Sequence, residues 1–258
     1  MNPVKIVAVI PARMASSRFP GKPLLKIRGL PMVEHVRRRA LLCGGFDEVV
    51  VATCDPEIAQ VVRHSGGKVV MTSAAHPAAT DRVAEAAEFL ECTHIVNLQG
   101  DEILVLPTDL EKMVRAIGEK PSVPVWNAVA TLEDPHELAD SSVVKCVVSV
   151  SGRILFCSRN LSSFSGGILN GIEPVRRVLG ILGYHKGFLQ RYPKLPRTPL
   201  EVRESVDQSR ILEHDFILQG VLFTQGYPGI NLPQEVEQVE SLLERDSLQR
   251  EVLQQVLR

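Results

Sequence analysis

Three cationic side chains stand close together in one short segment of this chain. Arg13, Arg18 and Lys22 follow the apolar run at residues 6–10, which predicts a buried strand ending at this segment. Cations spaced this closely repel one another unless a multiply charged anion lies between them, and a nucleoside triphosphate is such an anion. The alternative is a basic loop that contacts only solvent. The position directly after a buried strand favours the phosphate interpretation.

The residues between these cations are small, which suits an anion-binding loop. With little side-chain bulk, backbone N–H groups can approach phosphate oxygens closely. Neither G-x-x-x-x-G-K-[ST] nor G-x-G-x-x-G occurs near the segment, so it is not a Walker A loop or a dinucleotide fingerprint. The residues of this segment predicted to bind the nucleotide are Pro11, Ala12, Arg13, Ser16, Arg18 and Lys22.

The same segment resembles the opening loop of a family of sugar-activating nucleotidyltransferases. The pattern I-P-A-R-x-x-S-x-R-x-P-G-K-P of the CMP-Kdo synthetases (3-deoxy-manno-octulosonate cytidylyltransferases) is matched at every fixed position by residues 10–23. The resemblance spans nearly the whole chain and is tightest in residues 5–102. It implies an α/β, Rossmann-like three-layer fold of the nucleotide-diphospho-sugar-transferase type, with a mostly parallel central sheet and a smaller acceptor and dimerisation subregion. It also implies that Arg13 and Lys22 are catalytic residues.

A second segment, at residues 97–102, places a carboxylate after another predicted strand. Gly100 permits a sharp turn that brings Asp101 to the strand end. Mg²⁺ prefers one or two carboxylates together with phosphate oxygens, so Asp101 beside a phosphate loop predicts a magnesium site. A turn with a solvated acidic pair is the alternative. The segment resembles the family's Q-G-D-E-P, with Ile103 replacing the proline, which implies that Asp101 is a catalytic metal ligand and Gln99 a substrate contact.

A third segment, at residues 71–82, resembles the part of the family that recognises the nucleotide base. The family pattern T-R-x-x-H-x-S-G-T-D-R has its arginine, serine and glycine replaced by Ser73, Ala78 and Ala79. From the residues alone, the segment is a loop and the start of a helix with Thr80 as its N-cap. The resemblance implies that the nucleotide also contacts Thr72, Ser73, Thr80, Asp81, Arg82 and Gln99.

A fourth segment carries polar side chains at helical spacing. Glu201, Glu204 and Gln208 lie at i, i+3 and i+7, which places them on one face of a helix predicted over 201–213. A solvated polar face explains this spacing nearly as well. The segment resembles the family's L-E-x-x-E-x-x-x-Q-x-R, which borders the acceptor sugar in that family. The residues implied to bind the acceptor are Gln99, Arg159, Tyr184, Glu204 and Gln208.

The departures from the family pattern fall where the acceptor and the metal bind. In the family's H-x-G-I-Y-G-Y, the histidine and the first tyrosine are replaced here by Val178 and Leu182. Asn231 stands where a second metal-binding aspartate is expected, and its amide oxygen brings no charge to Mg²⁺. The predicted metal site is therefore Asp101 with Asn231. The predicted acceptor is Kdo or a related anionic compound, such as another ulosonic acid or a small phosphonate.

The elements that must position these segments alternate regularly in the first hundred residues. Apolar runs predict strands with helices between them, and glycine pairs follow two of the helices. Continuous apolar strands separated by helices predict a parallel sheet covered on both faces, with ligands at the carboxyl ends of the strands. The predicted strands are Lys5–Ile10, Glu48–Thr53, Lys68–Met71 and His94–Leu98, and the predicted helices are Met32–Leu42, Pro56–His64 and Thr80–Leu90.

The rest of the chain is less regular. Ser151 and Gly152 predict a hairpin turn, and the Ser/Gly-rich stretch 162–171 predicts a mobile loop. Predicted strands are Val125–Thr131, Val143–Val150, Arg153–Phe156, Gly180–Tyr184 and Val221–Thr224, and predicted helices are Gly187–Tyr192, Glu201–Glu213 and one from Pro233 to the end. We interpret residues 1–258 as one nucleotidyltransferase domain with a nucleotide-binding half (1–120), an acceptor-binding and dimerisation part (121–230) and a C-terminal helix (231–258).

Composition argues against several other classes of protein. The 258 residues carry a formal charge of −1 and are 45% hydrophobic, which disfavours disorder, a nucleic-acid-binding surface and a polybasic membrane patch. The apolar runs are too short to cross a bilayer, and the first strand starts too early for a signal peptide. The five cysteines form no C-x-x-C pair, so we expect reduced thiols. These features predict a cytoplasmic protein without nucleic-acid or membrane partners.

Together these segments predict a CTP-dependent cytidylyltransferase, in which an acceptor oxygen attacks the α-phosphate and pyrophosphate leaves. Mg²⁺ is the expected cofactor, and CTP and a small anionic acceptor are the expected partners. The resemblance also implies a homodimer and, with Kdo as acceptor, lipopolysaccharide synthesis. Three alternatives stay open: a transferase for UTP or dTTP and a sugar phosphate, a catalytically impaired nucleotide-binding homologue, and a purely structural protein.

Overall fold

Strand β1 (Ile6–Ala12) lies in the middle of the central sheet of the computed structural model, and all of its residues are buried. It pairs in parallel with β4 (Glu48–Thr53) and with β6 (His94–Leu98), and β4 pairs in parallel with β5 (Lys68–Met71). Three of these strands have the predicted bounds, and β1 begins and ends within two residues of its prediction. The structure describes residues 3–15, 18–164 and 174–258.

The other half of the sheet contains an antiparallel strand. β10 (Val175–His185) runs antiparallel between β6 and β7 (Val125–Ala130), and β11 (Leu218–Leu222) pairs in parallel with β7. β8 (Lys145–Val148) pairs with the start of β10 and forms the predicted hairpin with β9 (Ile154–Ser158). The order across the sheet is β11-β7-β10-β6-β1-β4-β5. The prediction of a mostly parallel central sheet is therefore confirmed.

Helices cover both faces of this sheet and make it the middle of three layers. The apolar residues of α1 (Met32–Leu42), α2 (Pro56–His64), α4 (Pro107–Glu119) and α8 (Glu235–Arg245) pack on one face. Those of α3 (Ala79–Glu88), α5 (Lys186–Arg191) and α7 (Gln208–Glu213) pack on the other. The remaining elements are a small hairpin of β2 (Lys26–Ile27) and β3 (Leu30–Pro31), α6 (Pro199–Glu204) and α9 (Ser247–Val256).

The helix predicted over 201–213 is in fact two helices. Ser205 has a φ of 53°, in the left-handed region, so α6 ends at Glu204 and α7 begins only at Gln208. Glu201, Glu204 and Gln208 therefore do not share one helical face. That prediction was wrong, because i, i+3 and i+7 spacing aligns side chains only along an unbroken helix.

Other predicted elements differ in extent. The helix predicted from Pro233 onwards begins at Glu235 and breaks at Asp246, whose carboxylate accepts the Gln249 N–H at 3.0 Å and caps α9. β10 begins at Val175 instead of Gly180, β11 begins three residues and ends two residues earlier than predicted, and α4 was not predicted. Most of the predicted loop at 162–171 lies outside the described residues. The division of the chain into three parts stays a prediction.

No helix within the described ranges combines the length and the apolar character needed to cross a membrane.

Candidate active site

The carboxyl ends of β1 and β6 meet at one edge of the sheet and form a cleft. The chain runs outward from β1 through β4 and β5 and then returns to β6 on the other side of β1, so the cleft lies at a topological switch point. The start of α3 contributes another part of its wall. The residues lining the cleft are Pro11, Ala12, Arg13, Lys22, Pro23, Met32, Ala78, Ala79, Arg82, Gln99, Gly100 and Asp101.

Two glycines shape this cleft. A Cβ at Gly100 would lie 3.0 Å from the Pro11 carbonyl oxygen, so a larger residue would push the end of β6 away from β1. Gly21 has a φ of 77°, in the left-handed region, and immediately precedes the 3₁₀ turn Lys22–Leu24. Gly21 therefore permits the turn before Lys22, and Gly100 permits the close approach of the chain before Asp101 to β1.

Lys22 and Asp101 form an ion pair in the cleft. The Lys22 ammonium lies 3.0 Å from the Asp101 Oδ2 and donates to the Ile230 carbonyl oxygen at 2.8 Å. The side chains of the pair are 15% and 26% exposed, so water screens their attraction only in part. The structure thus brings the residue predicted to bind phosphate into contact with the residue predicted to bind metal.

Residues 229–231 come from a distant part of the chain and contact the Lys22 and Asp101 segments beside the cleft. A Cβ at Gly229 would lie 2.8 Å from the Asp101 carbonyl oxygen, so this segment packs tightly against the metal loop. The Asn231 side-chain oxygen accepts a hydrogen bond from the Arg18 guanidinium at 3.1 Å. A second predicted phosphate-binding cation therefore contacts the second predicted metal ligand.

The remaining residues of the phosphate loop have different surroundings. Arg13 lines the cleft with an exposed side chain and has no hydrogen-bond partner among the described residues, so its guanidinium is available to an anion. Pro11 and Ala12 are the buried last residues of β1 and line the cleft floor. Ser16, also predicted to bind the nucleotide, lies outside the described residues.

Arg82 lines the cleft. Among the described residues, it is the only predicted base contact of the 71–82 segment that does so. Its buried guanidinium donates to the Thr72 hydroxyl and, at 3.4 Å, to the Cys54 sulfur. Thr72 therefore holds Arg82 in place. Gln99, at the end of β6, lines the same cleft.

The other three predicted base contacts take part in local structure. Ser73 is exposed, and the Thr80 hydroxyl hydrogen-bonds to the buried Tyr184 hydroxyl. The Asp81 carboxylate accepts the Ala78 N–H at 3.2 Å at the start of α3. Because α3 begins one residue before Thr80, the interpretation of Thr80 as the N-cap was wrong, and Asp81 supplies the side-chain hydrogen bond of the first turn.

A second pocket adjoins the cleft and shares Gln99 and Asp101 with it. Gln208 and Asn231, both predicted site residues, lie in its wall. The other lining residues are Glu102, Ser142, Val143, Val144, Arg177, Val178, Leu179, Gly180, Tyr227 and Gly229. A second substrate bound here would lie next to the cleft and next to Asp101.

The other predicted acceptor residues stand apart from this pocket. Arg159 and Glu204 bond to each other: the Arg159 N–H and Nε donate to the Glu204 carboxylate and carbonyl at 2.9 and 2.7 Å. Tyr184 is 2% exposed and packs in the apolar layer beneath α3 and α5, where burial raises its pKa well above the usual range. Among the described residues, Gln99 and Gln208 are therefore the predicted acceptor residues that line the pocket.

Two charged residues of the pocket were not found from the sequence. Arg177 lies in the pocket wall, 3.4 Å from the Glu137 carboxylate, and it was missed because β10 was predicted to start only at Gly180. Glu102 accepts the Gly180 N–H at 2.8 Å. Burial raises the pKa of the Glu102 carboxyl to about 7, with the Asp101 charge adding to the rise. The sequence signal that could have identified Glu102 is its place next to Asp101 in the segment that resembles Q-G-D-E-P.

The donor set at Asp101 fits a hard divalent cation that is bound partly by substrate. The described residues contain no cluster of three His, Cys, Asp or Glu side chains that would hold a metal by themselves. Asp101 and the Asn231 side-chain oxygen lie in one pocket wall beside the predicted phosphate site. Mg²⁺ usually takes one or two carboxylates and completes its shell with phosphate oxygens and water.

Comparisons with known proteins give the same assignment for most of the chain. The family model for cytidylyltransferases matches residues 7–219. A 3-deoxy-manno-octulosonate cytidylyltransferase of Zea mays is 37% identical over 248 residues, which are 95% of this chain and 83% of the relative. The enzyme of that name from Myxococcus xanthus is 42% identical over 246 residues, 94% of this chain and 98% of the relative.

A solved structure supports the same relationship. CMP:2-keto-3-deoxy-manno-octonic acid synthetase complexed with CTP superposes with a TM-score of 0.87 and 36% identity, covering 94% of this chain and 99% of that one. This confirms the predicted nucleotide-sugar-transferase type of fold. The chain therefore belongs to the cytidylyltransferase family of nucleotidyltransferases, and within it the chain is similar to the 3-deoxy-manno-octulosonate cytidylyltransferases.

Proposed function

We propose that this protein transfers CMP from CTP to an acidic acceptor, with Kdo as the first candidate, and releases pyrophosphate. The observation that carries the proposal is the cleft in which Lys22 and Asp101 meet, beside a second pocket that shares Asp101. The relatives described above act, by their names, on 3-deoxy-manno-octulosonate, and the solved relative is complexed with CTP. Cleft and pocket thus offer adjacent places for a nucleotide and an acceptor.

The proposed reaction is a displacement at the α-phosphorus of CTP. An acceptor hydroxyl oxygen forms a bond to this phosphorus, the bond from phosphorus to the bridging oxygen breaks, pyrophosphate leaves, and the hydroxyl proton passes to water. Negative charge grows on the leaving pyrophosphate. Arg13 and Lys22 line the cleft and Arg18 lies beside it, so these cations would bind the triphosphate and neutralise that charge.

Asp101 and the Asn231 side-chain oxygen are the residues that would hold Mg²⁺. When bound, the ion supplies positive charge at the α-phosphate and at the acceptor oxygen. Both residues line the pocket next to the cleft, and Asp101 lines the cleft as well. Asn231 contributes an oxygen without a charge, so the metal site of this protein has one carboxylate where its relatives are expected to have two.

Arg177 is the cation that we assign to the acceptor. It lies in the wall of the second pocket, where an acidic acceptor would find a positive charge opposite Asp101 and Glu102. Val178 lines the same pocket and makes this part of the wall apolar at the position of the family's histidine. For that reason another ulosonic acid, such as an amino-Kdo, or a small phosphonate is the second candidate acceptor.

Pyrophosphate release tests this function. The purified protein is assayed with CTP and Mg²⁺ against Kdo, an amino-Kdo and small phosphonates, with UTP and dTTP as alternative nucleotides and Asp101→Ala as the inactive control. Turnover with CTP and Kdo, lost in the variant, supports the proposal. Turnover only with an amino-Kdo or a phosphonate supports the second candidate acceptor over Kdo. Binding of CTP without turnover contradicts the proposal and favours a catalytically impaired homologue.

Restoring a carboxylate at position 231 should tighten the metal site. We expect Asn231→Asp to lower the Mg²⁺ concentration needed for half-maximal activity by roughly tenfold, because ligand charge is a main determinant of cation affinity. A titration of pyrophosphate release with Mg²⁺ measures this value. Asn231→Leu, which removes the oxygen, should raise it. Equal Mg²⁺ requirements in all three proteins would exclude residue 231 as a metal ligand.

Three further expectations belong to the same proposal. With Kdo as acceptor, the product would be activated Kdo for lipopolysaccharide synthesis, made in the cytoplasm.

The homodimer implied by the resemblance has a candidate surface on β9, which pairs only with β8 among the described strands. There Leu155 and Phe156 are 55% and 38% exposed, and a second copy would cover them. Sedimentation of the purified protein measures the oligomeric state.

A further inference from the structure

Strand β10 contains a bulge at the acceptor pocket. Its register with β7 pairs Val178 with Val129 and Leu182 with Asn127, so the three residues between them, 179–181, face only Ala128. Such an insertion interrupts the ladder and leaves backbone groups without their usual strand partners. Leu179 and Gly180 of the bulge line the acceptor pocket, as does Val178 beside it. The shape of the pocket therefore depends on what holds this bulge.

One buried side chain on the neighbouring strand holds it. The Asn127 Nδ2 donates to the Leu179 carbonyl oxygen at 2.9 Å, and it also lies 2.8 Å from the Ala128 and 3.4 Å from the Ile181 carbonyl oxygens. Its exposed fraction is 0%. Carbonyl groups that a bulge frees from a sheet need other donors when they are buried. Asn127 supplies the donor for both ends of the bulge.

The same side chain also holds a second part of the pocket wall. The Asn127 Oδ1 accepts a hydrogen bond from the Gln208 Nε2 at 2.9 Å. Gln208 begins α7 and lines the acceptor pocket. Two separate wall elements, the bulge of β10 and the first residue of α7, are thus joined through one amide.

We propose that Asn127 is a positioning residue for the acceptor, because it fixes the β10 bulge and Gln208 relative to each other. Asn127 does not line the acceptor pocket and acts through the groups it holds. The inference rests on the proposed function, since it gives this pocket to the acceptor. It makes Asn127 a determinant of acceptor affinity and leaves the nucleotide cleft independent of it.

The sheet offers a matched control residue in the same row. Leu182 pairs with Asn127 on one side and with Asn97 of β6 on the other, so both asparagines project from the same face of the sheet. Both are 0% exposed. The Asn97 amide has no hydrogen-bond partner among the described residues. Replacing it removes the same chemical group at the same depth without releasing the bulge.

The test compares Asn127→Leu with Asn97→Leu. We expect Asn127→Leu to raise the KM for the acceptor by about tenfold or more, because small misplacements of a bound substrate are costly in such reactions. The dissociation constant for CTP should change by less than about threefold. Asn97→Leu should leave both constants within about twofold of the unsubstituted protein. Steady-state pyrophosphate release and calorimetric CTP binding give these values.

A double substitution checks the link to Gln208. Gln208→Leu removes one arm of the network and should raise the acceptor KM by a smaller factor than Asn127→Leu. Asn127→Leu with Gln208→Leu should then match Asn127→Leu alone within about twofold, since linked residues act non-additively. Because Gln208 is partly exposed, we expect Gln208→Leu to fold. This variant therefore tests the network even if Asn127→Leu does not fold.

Hydrogen exchange separates a failure of this inference from a failure of the proposed function. Backbone amides at 178–182 should exchange at least tenfold faster in Asn127→Leu than in Asn97→Leu, whichever acceptor the protein uses. Unchanged exchange there, or equal losses of CTP and acceptor binding, would overturn the positioning role. Faster exchange without turnover on Kdo would support the role of Asn127 in this pocket and count against Kdo as the acceptor.

Discussion

Asp101→Asn will lower the rate of pyrophosphate release by about a thousandfold or more. Asp101 lines both the cleft proposed for the nucleotide and the pocket proposed for the acceptor, so it stands where the two reacting groups would meet. Charge stabilisation by a bound metal contributes several kcal/mol in reactions of this type, and about 1.4 kcal/mol corresponds to a tenfold change in rate. The amide keeps the size of the side chain and removes its charge.

The neighbouring carboxylate provides the matched control. Glu102→Gln should lower the rate by less than about tenfold, because burial already raises the Glu102 pKa to about 7 and the neutral form is well populated at neutral pH. The glutamine oxygen can still accept the Gly180 N–H that Glu102 holds at 2.8 Å. Single-turnover pyrophosphate release at saturating CTP compares the two variants. A larger loss in Glu102→Gln than in Asp101→Asn would contradict the assignment of the metal to Asp101.

Much of the nucleotide-binding half was predictable because its signals are local. The apolar runs of β4, β5 and β6 are bounded by polar residues, and α1 and α2 have the predicted bounds. At Gly100, the absence of a side chain permits a close approach to the Pro11 carbonyl oxygen at the end of β1. Strands of a parallel sheet that are buried on both faces tend to be near-continuous apolar runs, and this is a clear strand signal in a sequence.

The acceptor half was less predictable because its strands border a polar pocket. Arg176 and Arg177 lie inside β10, yet two adjacent arginines do not resemble a strand, so the start of β10 was missed. Ser205 adopts the left-handed conformation that glycine usually marks, and the break between α6 and α7 was therefore invisible. The polar spacing of 201–208 looked helical for the same reason.

The contacts within the site join residues that are far apart in the chain. Arg18 meets Asn231 across 213 positions, and Lys22 meets Asp101 across 79. The predicted parallel sheet brought the Lys22 and Asp101 segments to one edge, and the resemblance to a family indicated a metal-binding role for position 231, but neither contact was itself predicted. The role of Asn127 could not be predicted in this way, because it depends on the register of β10 against β7, which only the structure provides.

Lys22→Met should have opposite effects on catalysis and on metal binding. The Lys22 ammonium lies 3.0 Å from the Asp101 Oδ2, so it already neutralises part of the charge that Asp101 would offer to a metal ion. Under the proposed mechanism Lys22 would neutralise the leaving pyrophosphate, so its loss should lower kcat/KM for CTP by about a hundredfold to a thousandfold. The same loss frees Asp101 of its ion-pair partner, so Mn²⁺ should bind more tightly to the nucleotide-free protein.

Two measurements separate these effects. Pyrophosphate release reports the loss in kcat/KM, and electron paramagnetic resonance of Mn²⁺ without CTP reports the gain in metal affinity. Lys26→Met is the matched control, because Lys26 is exposed on β2 only four residues further along and should change neither quantity.

A lower kcat/KM together with a higher Mn²⁺ affinity would indicate that Lys22 and the metal ion bind the same carboxylate. If Asp101 binds the metal ion as proposed, Lys22 and the ion would compete for its carboxylate, and a bound triphosphate would attract the ammonium away from it. Nucleotide and metal should therefore bind cooperatively. Binding of CTP should therefore tighten Mn²⁺ binding in the unsubstituted protein, and the Lys22 contribution to this coupling should disappear in Lys22→Met. Weaker or unchanged Mn²⁺ binding in the nucleotide-free variant would show that the ion pair does not hold the metal site closed.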